Sequence, residues 1–227
     1  MTSKKLKAEL NRADEIYVAE FNDLNNSGVD GRAILTVDYG KSNSTEDDRL
    51  TVRIIAEGLD EGVHIQHMHG FETGQNAVTP DKDDDADRDG YVELLEGVAD
   101  YGGILLNLDF EDGSFPVTVG PDGSFRFKQT YHLSGDDASH GSHAGDAVTT
   151  FDKLGLNHLV IHGMRVPEGA GAGTPGEVGT TEPMGSIAFD QDTYKEVLPV
   201  AVAEIDRMTL KNATQQLKFF ARDDFDF

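Results

Sequence analysis

About nine short runs of β-type residues, parted by turn signals, constrain this 227-residue chain more than any other feature. They fall at residues 16–21, 32–39, 49–56, 63–69, 104–110, 124–133, 158–164, 186–189 and 198–205. The run Arg49-Leu50-Thr51-Val52-Arg53-Ile54-Ile55-Ala56 alternates for most of its length, which predicts a strand with one wet face. Phe125 and Phe127 alternate with Arg126 and Lys128 in the same way. Asp112-Gly113, Pro121-Asp122-Gly123 and Ser134-Gly135 supply turns between runs. A short helix is expected over 4–15, where Leu6 and Leu10 stand at i, i+4. So many short strands with so little helix predict an all-β domain, a Greek-key β-sandwich or barrel. The length suits one well-buried core. The expected organisation is an extension over 1–15, a β-domain over 16–205 and a tail over 206–227. The tail reads as an appended strand or a partner-binding extension.

The surface chemistry of such a domain is set by 42 acidic against 19 basic residues, a formal net charge of -23. That field repels nucleic acid and anionic membrane surfaces, and it favours cations. It also fits a high-salt or extracellular setting. No apolar run approaches the length of a membrane span. The start, Met1-Thr2-Ser3-Lys4-Lys5-Leu6-Lys7, is basic without a following apolar stretch, so it does not read as a signal peptide. The expected location is extracellular or periplasmic, with any export signal upstream. There is no cysteine. Disulfides and thiolate metal sites are therefore excluded, and any metal must be held by histidine nitrogen and by oxygen.

Three stretches interrupt the strand pattern: 72–103, 134–150 and 167–185. Excursions this long inside a compact domain are usually functional or mobile. The first carries Asp85-Ala86-Asp87-Arg88-Asp89-Gly90-Tyr91-Val92-Glu93-Leu94-Leu95-Glu96, which matches the twelve-residue EF-hand calcium loop. Asp85, Asp87 and Asp89 occupy positions 1, 3 and 5, and Gly90 makes the turn at 6. Tyr91 offers its backbone carbonyl at 7, Glu93 acts through water at 9, and Glu96 is the bidentate ligand at 12. A solvated acidic run is the plain alternative, given neighbouring Asp81, Asp83 and Asp84, but charge alone does not place Gly, an apolar residue and Glu at these offsets. A helical turn is expected over 92–99. With no partner loop, the site reads as a single structural calcium that pins the excursion.

Histidine is the other candidate ligand. Gly62-Val63-His64-Ile65-Gln66-His67-Met68-His69 places His67 and His69 on one face of a strand, with His64 on the other. Two imidazoles at i and i+2 form a ready metal pair; clustering on a solvated edge strand is the plain alternative. Leu156-Asn157-His158-Leu159-Val160-Ile161-His162 holds a second pair, His158 and His162, on a buried-strand pattern. His132, or His140 and His143 in the Gly/Ser-rich stretch, are candidates for a further ligand. His64 is expected to be a core residue bonded to backbone, and His158 a packed or edge residue. A hydrolase or oxygenase would need a carboxylate beside the pair, for which Glu72 is the one at hand.

At these residues a resemblance appears. The stretch 62–69 resembles the copper-ligand strand of Cu/Zn superoxide dismutases, and Leu159-Val160-Ile161-His162 resembles a later strand of that family that supplies another copper ligand. The stretches 22–28, 50–59 and 63–70, with Phe115-Pro116, also resemble CHRD domains, which are extracellular β-domains. The resemblance implies a superoxide dismutase-like fold with His67, His69 and His162 as copper ligands and His64 behind the site. It also implies a small oxygen species as substrate; a CHRD-like module would bind an extracellular surface without catalysis. This chain departs from the dismutase pattern. No histidine lies in 72–103, where the family's bridging histidine and zinc ligands would stand, and the disulfide is impossible. The family's guiding arginine has only Arg165 as a candidate counterpart.

Overall fold

The computed structural model describes residues 3–40, 48–118, 123–132, 154–167 and 193–220. The expected strand at 186–189, and both His140 and His143, lie outside those residues. Among the described residues eleven strands are present: β1 (Glu15–Asp23), β2 (Asp30–Asp38), β3 (Arg49–Glu57), β4 (Gly62–Val63), β5 (Gln66–Gly70), β6 (Gly103–Asn107), β7 (Val117–Thr118), β8 (Phe125–His132), β9 (His158–Arg165), β10 (Tyr194–Glu204) and β11 (Asp206–Arg207). Nine of them form one antiparallel sheet in the order β6-β5-β9-β10-β1-β2-β3-β8, with β11 added on β1.

The sheet curls because β1 serves two halves. Its residues Glu15 to Phe21 pair with β2, whereas Asn22 and Asp23 pair with Val202 and Ala201 of β10. The two halves face each other across one core. Leu35, Val52, Ile54 and Phe127 come from one half, and Met68, Leu106, Leu159, Ile161 and Ala203 from the other. The architecture is that of an all-β sandwich or barrel, as the strand pattern predicts.

The expected wet face of β3 is dry. Its residues from Leu50 to Ile54 are all buried, Arg53 included. The cause is α1 (Ser3–Leu10) and the helix of the C-terminal stretch, α3 (Leu210–Phe220), which lie over this side of the sheet. Leu6, Leu10 and Ala213 pack with Ile16, Val18 and Ile34 in a second core. Arg53 Nη2 meets both carboxylate oxygens of Glu9 at 2.6 Å. Alternation in β3 therefore marks two kinds of buried face, one apolar and one built for a charged pair. The stretch beyond residue 205, expected as an appended strand or a partner-binding extension, adds the short strand β11 to β1 and then contributes a helix to this layer.

The run expected as one strand over 63–69 is broken between β4 and β5 at His64-Ile65. His64 N–H donates to Pro116 and His162 N–H to Ile65, so the break remains tied on both sides. The excursion after β5 folds back on the sheet. Ala77 N–H donates to Leu156 and Val78 N–H to Asp100. Its helix, α2 (Leu94–Tyr101), begins two residues later than the expected 92–99 turn. Asn25 clasps the excursion at Val92, accepting from its N–H at 2.7 Å and donating to its carbonyl at 3.0 Å. No helix among the described residues is long and apolar enough to cross a membrane.

Candidate metal centre

Pairing of β5 with β9 brings the two histidine strands together. Gln66 stands opposite Ile161, His67 opposite Val160 and His69 opposite His158, and the Ile65–His162 bond extends this ladder. Met68, between the two histidines, points the other way into the core and is fully buried. Ring centroids lie 5.2 Å apart for His67 and His162, 5.5 Å for His67 and His69, and 6.0 Å for His69 and His162. One nitrogen from each ring falls within 4.8 Å of the others.

The outer hydrogen bonds fix which nitrogens face inward. A carbonyl can only accept, so His69 donates from Nδ1 to Gly102 at 2.9 Å, and His162 donates from Nδ1 to Val197 at 2.8 Å. Each therefore turns a bare Nε2 lone pair toward the centre. His67 Nδ1 lies 3.3 Å from His162 Nε2. In the absence of metal this is a hydrogen bond between the two rings, and the same spacing suits two nitrogens bonded at about 2.0 Å to one tetrahedral ion, which stand roughly 3.3 Å apart. His69 Nε2 is buried and has no hydrogen-bond partner. A buried acceptor without a donor costs about 1–3 kcal/mol, and a metal ion is the occupant that would satisfy it.

Burial also keeps the rings neutral, as metal binding requires. His67, His69 and His162 are 6%, 0% and 1% exposed. Loss of solvation, together with the neighbouring rings His162 and His69, holds His67 well below the ordinary histidine range. Burial pushes His69 down to about 3, aided by His162 and opposed by the Gly102 carbonyl. Burial likewise pushes His162 down to about 4 against the Val197 carbonyl. Beside the rings stand two aromatic side chains, Tyr101 with its ring centroid 4.6 Å from that of His69, and Phe115 at 6.0 Å from that of His67.

His64 lies behind the cluster and is fully buried. Its Nδ1 lies 3.0 Å from the His162 carbonyl, while Nε2 lies 3.0 Å from Thr118 Oγ1 and 2.9 Å from the Asp60 carbonyl. It ties β9 to the β4 side of the fold, the backbone-bonded role its position predicts. The approach depends on Gly163, whose φ is 105°. A Cβ there would stand 2.5 Å from Tyr194 Oη, 2.8 Å from the Val63 carbonyl and 3.1 Å from His64 Nδ1.

The other candidates lie apart from the three rings. His132 is half-buried at the end of β8, opposite Arg49, and is not part of the three-histidine group. His158 is buried, with Nε2 3.1 Å from Thr79 Oγ1. Arg165 is exposed at the end of β9, with its guanidinium over the Tyr194 ring and Nη1 donating to Thr193 Oγ1 at 3.3 Å. Glu72 is exposed, and among the described residues no carboxylate joins the three imidazoles.

The acidic loop gathers five of its six expected residues. Asp85, Asp87 and Glu96 form one group of converging oxygens, and Asp87, Asp89 and Glu93 form another. Backbone N–H groups shape the loop. Those of Asp89 and Gly90 donate to Asp85 at 3.2 and 3.0 Å, and that of Tyr91 donates to Asp89 at 2.9 Å. Glu96 accepts from Ala86 N–H at 2.6 Å and from Glu93 N–H at 3.0 Å. Glu93 is fully buried, and its carboxyl converges with those of Asp87 and Asp89. Burial, with the charges of Asp87 and Asp85, raises the Asp89 carboxyl above the ordinary range despite the Tyr91 N–H.

Sequence reasoning missed Tyr101, Gly102, Val197 and Phe115. Two of these act through backbone carbonyls, which leave no trace in residue type. No protein-family model matches the chain, and no curated protein matches it. The likeness to superoxide dismutases and CHRD domains thus rests on the residues quoted above.

Proposed function

We propose that this protein is a copper-binding β-domain with a calcium-stabilised excursion. His67 would hold copper through Nδ1, and His69 and His162 through Nε2; Asp85, Asp87, Asp89, the Tyr91 carbonyl, Glu93 and Glu96 would hold calcium. The observation that carries the reading is the buried, donorless Nε2 of His69, aimed at two further imidazole nitrogens. Imidazole suits copper, and three neutral ligands leave a coordination position for a small molecule. Bound copper would supply one-electron exchange with a small oxygen species, which is how the resemblance to superoxide dismutases bears on activity.

The chain's own residues orient and desolvate the site. Gly102 and Val197 fix two tautomers, Tyr101 and Phe115 wall off water, and His64 holds β9 at its depth. Arg165 lies over Tyr194, and its side chain is not among the groups touching the three rings. Electrostatic guidance of an anion thus gains no support from it, and the net charge opposes such guidance.

Near-complete burial of the rings favours a second reading, a non-catalytic extracellular or periplasmic module in which metal serves structure or adhesion. The two are separated by loading purified protein with copper and assaying superoxide turnover. Turnover lost in His67→Ala supports the enzyme. Stoichiometric copper without turnover supports the module. Glu96→Gln should abolish calcium uptake while copper is still bound, and His67→Ala should do the reverse. If either substitution removed both metals, the assignment of two separate sites would be wrong.

A further inference from the structure

A continuous strut joins the acidic loop to the histidine centre. Glu96, the last carboxylate of the loop, lies in the first turn of α2, where it and Glu93 cap the helix reciprocally. Five residues further on, about 7.5 Å along the helix axis, α2 ends at Tyr101. Its ring lies 4.6 Å from that of His69, and the next carbonyl, Gly102, accepts from His69 Nδ1. Tyr101 is fully buried, and its hydroxyl turns back to donate to Leu94, the first residue of α2, at 3.1 Å. Gly97 makes room for this brace, since a Cβ there would stand 2.5 Å from the Tyr101 ring. Val92, inside the loop, shares a buried cluster with Tyr101 and with Val160 of β9. Every link from the carboxylates to the His69 ring is a packed or hydrogen-bonded contact.

Such a strut transmits force. Converging carboxylates repel one another, and that repulsion acts on Glu96 and hence on the start of α2. A divalent cation removes it and fixes the helix, and with it the Gly102 carbonyl and the Tyr101 ring. Those two groups set the direction of the His69 lone pair, and a metal bonded at about 2.0 Å tolerates little error in that direction. The fully buried Glu93, converging with Asp87 and Asp89, marks the loop as built for a cation.

We propose that Tyr101 is a positioning residue for His69 and that, through α2, calcium in the 85–96 loop raises the affinity of the histidine centre for copper. The proposal rests on the two-site reading given above. Linkage makes the effect reciprocal: copper must tighten calcium by the same factor.

The test is competitive copper titration of the full chain with and without calcium, paired with calcium titration with and without copper. Copper should bind about ten-fold more tightly in calcium, with the same factor in the converse titration. Calcium should also alter the copper electron paramagnetic resonance spectrum. Tyr101→Leu should still take up calcium but lose the dependence, while Tyr101→Phe, which keeps the ring, should retain most of it. Should Tyr101→Leu not fold, Glu96→Gln serves instead, and its copper affinity should equal that of wild type without calcium. If both metals bind wild type independently, the coupling is overturned and the two sites stand. If either metal fails to bind, the two-site reading falls and the coupling with it. If Tyr101→Leu keeps the full dependence, Tyr101 is not the positioning residue.

Discussion

Acid should unfold the metal-free protein early, and the histidine centre should be a main cause. The sign follows from where the proton binds first. In the unfolded chain a histidine titrates near 6.5, whereas burial holds His69 at about 3 and His162 at about 4 in the folded protein. Between those values the unfolded chain takes up protons that the native rings refuse, so stability falls with falling pH. It is fully retained above the unfolded value, declines below about 6.5, and stops declining once the native rings themselves titrate. At pH 5 the difference is about 1.5 pH units for each of these rings, or roughly 2 kcal/mol each at 1.36 kcal/mol per unit. The pair thus costs about 4 kcal/mol, a large share of the 5–15 kcal/mol typical of a domain. His67 acts in the same direction. The assay is guanidinium unfolding of metal-free protein at pH 7 and pH 5, beside a variant with glutamine at 67, 69 and 162. Wild type should lose at least about 4 kcal/mol more than the variant, since His67 adds to the pair, and copper should move the loss to lower pH. Equal losses in the two proteins would refute the reasoning.

Two further outcomes follow from particular contacts. Glu9→Ala leaves the Arg53 guanidinium buried without its carboxylate partner, and equilibrium unfolding should show a loss of about 3–5 kcal/mol; a change under 1 kcal/mol would mean that α1 does not seal the sheet. Gly163→Ala forces a side chain onto a φ of 105° and against Tyr194, so thermal melts should show destabilisation of more than about 1 kcal/mol, with copper affinity reduced as His162 shifts. An unchanged melt would remove the close approach of β4 and β9 from the account.

The β class and most strands were legible because alternation and turn residues are local signals. The three histidines of the candidate centre were legible for a similar reason: His67 and His69 declare a shared face by spacing, and Ile161 and Val160 mark the strand that carries His162. What the sequence hid was relational. Arg53 looks like a wet-face residue until Glu9, 44 positions away, is placed over it. The break at His64-Ile65 hides because apolar content continues across it, while the interruption is made by partners at Pro116 and His162. The carbonyls of Gly102 and Val197 have no residue signature, and Tyr101 gains its role only when α2 docks beside β5. Hydrogen-bond partners far along the chain, rather than local preference, decided each of these points.

The central claim is that three imidazoles meet at one ion, and counting nitrogens on bound copper tests it most directly. Pulsed electron paramagnetic resonance on protein loaded with one equivalent of copper should report three histidine nitrogens. Single substitutions His67→Ala, His69→Ala and His162→Ala should each remove one nitrogen and weaken binding by orders of magnitude. Copper that keeps its spectrum and affinity in all three variants would place the ion elsewhere and contradict the account.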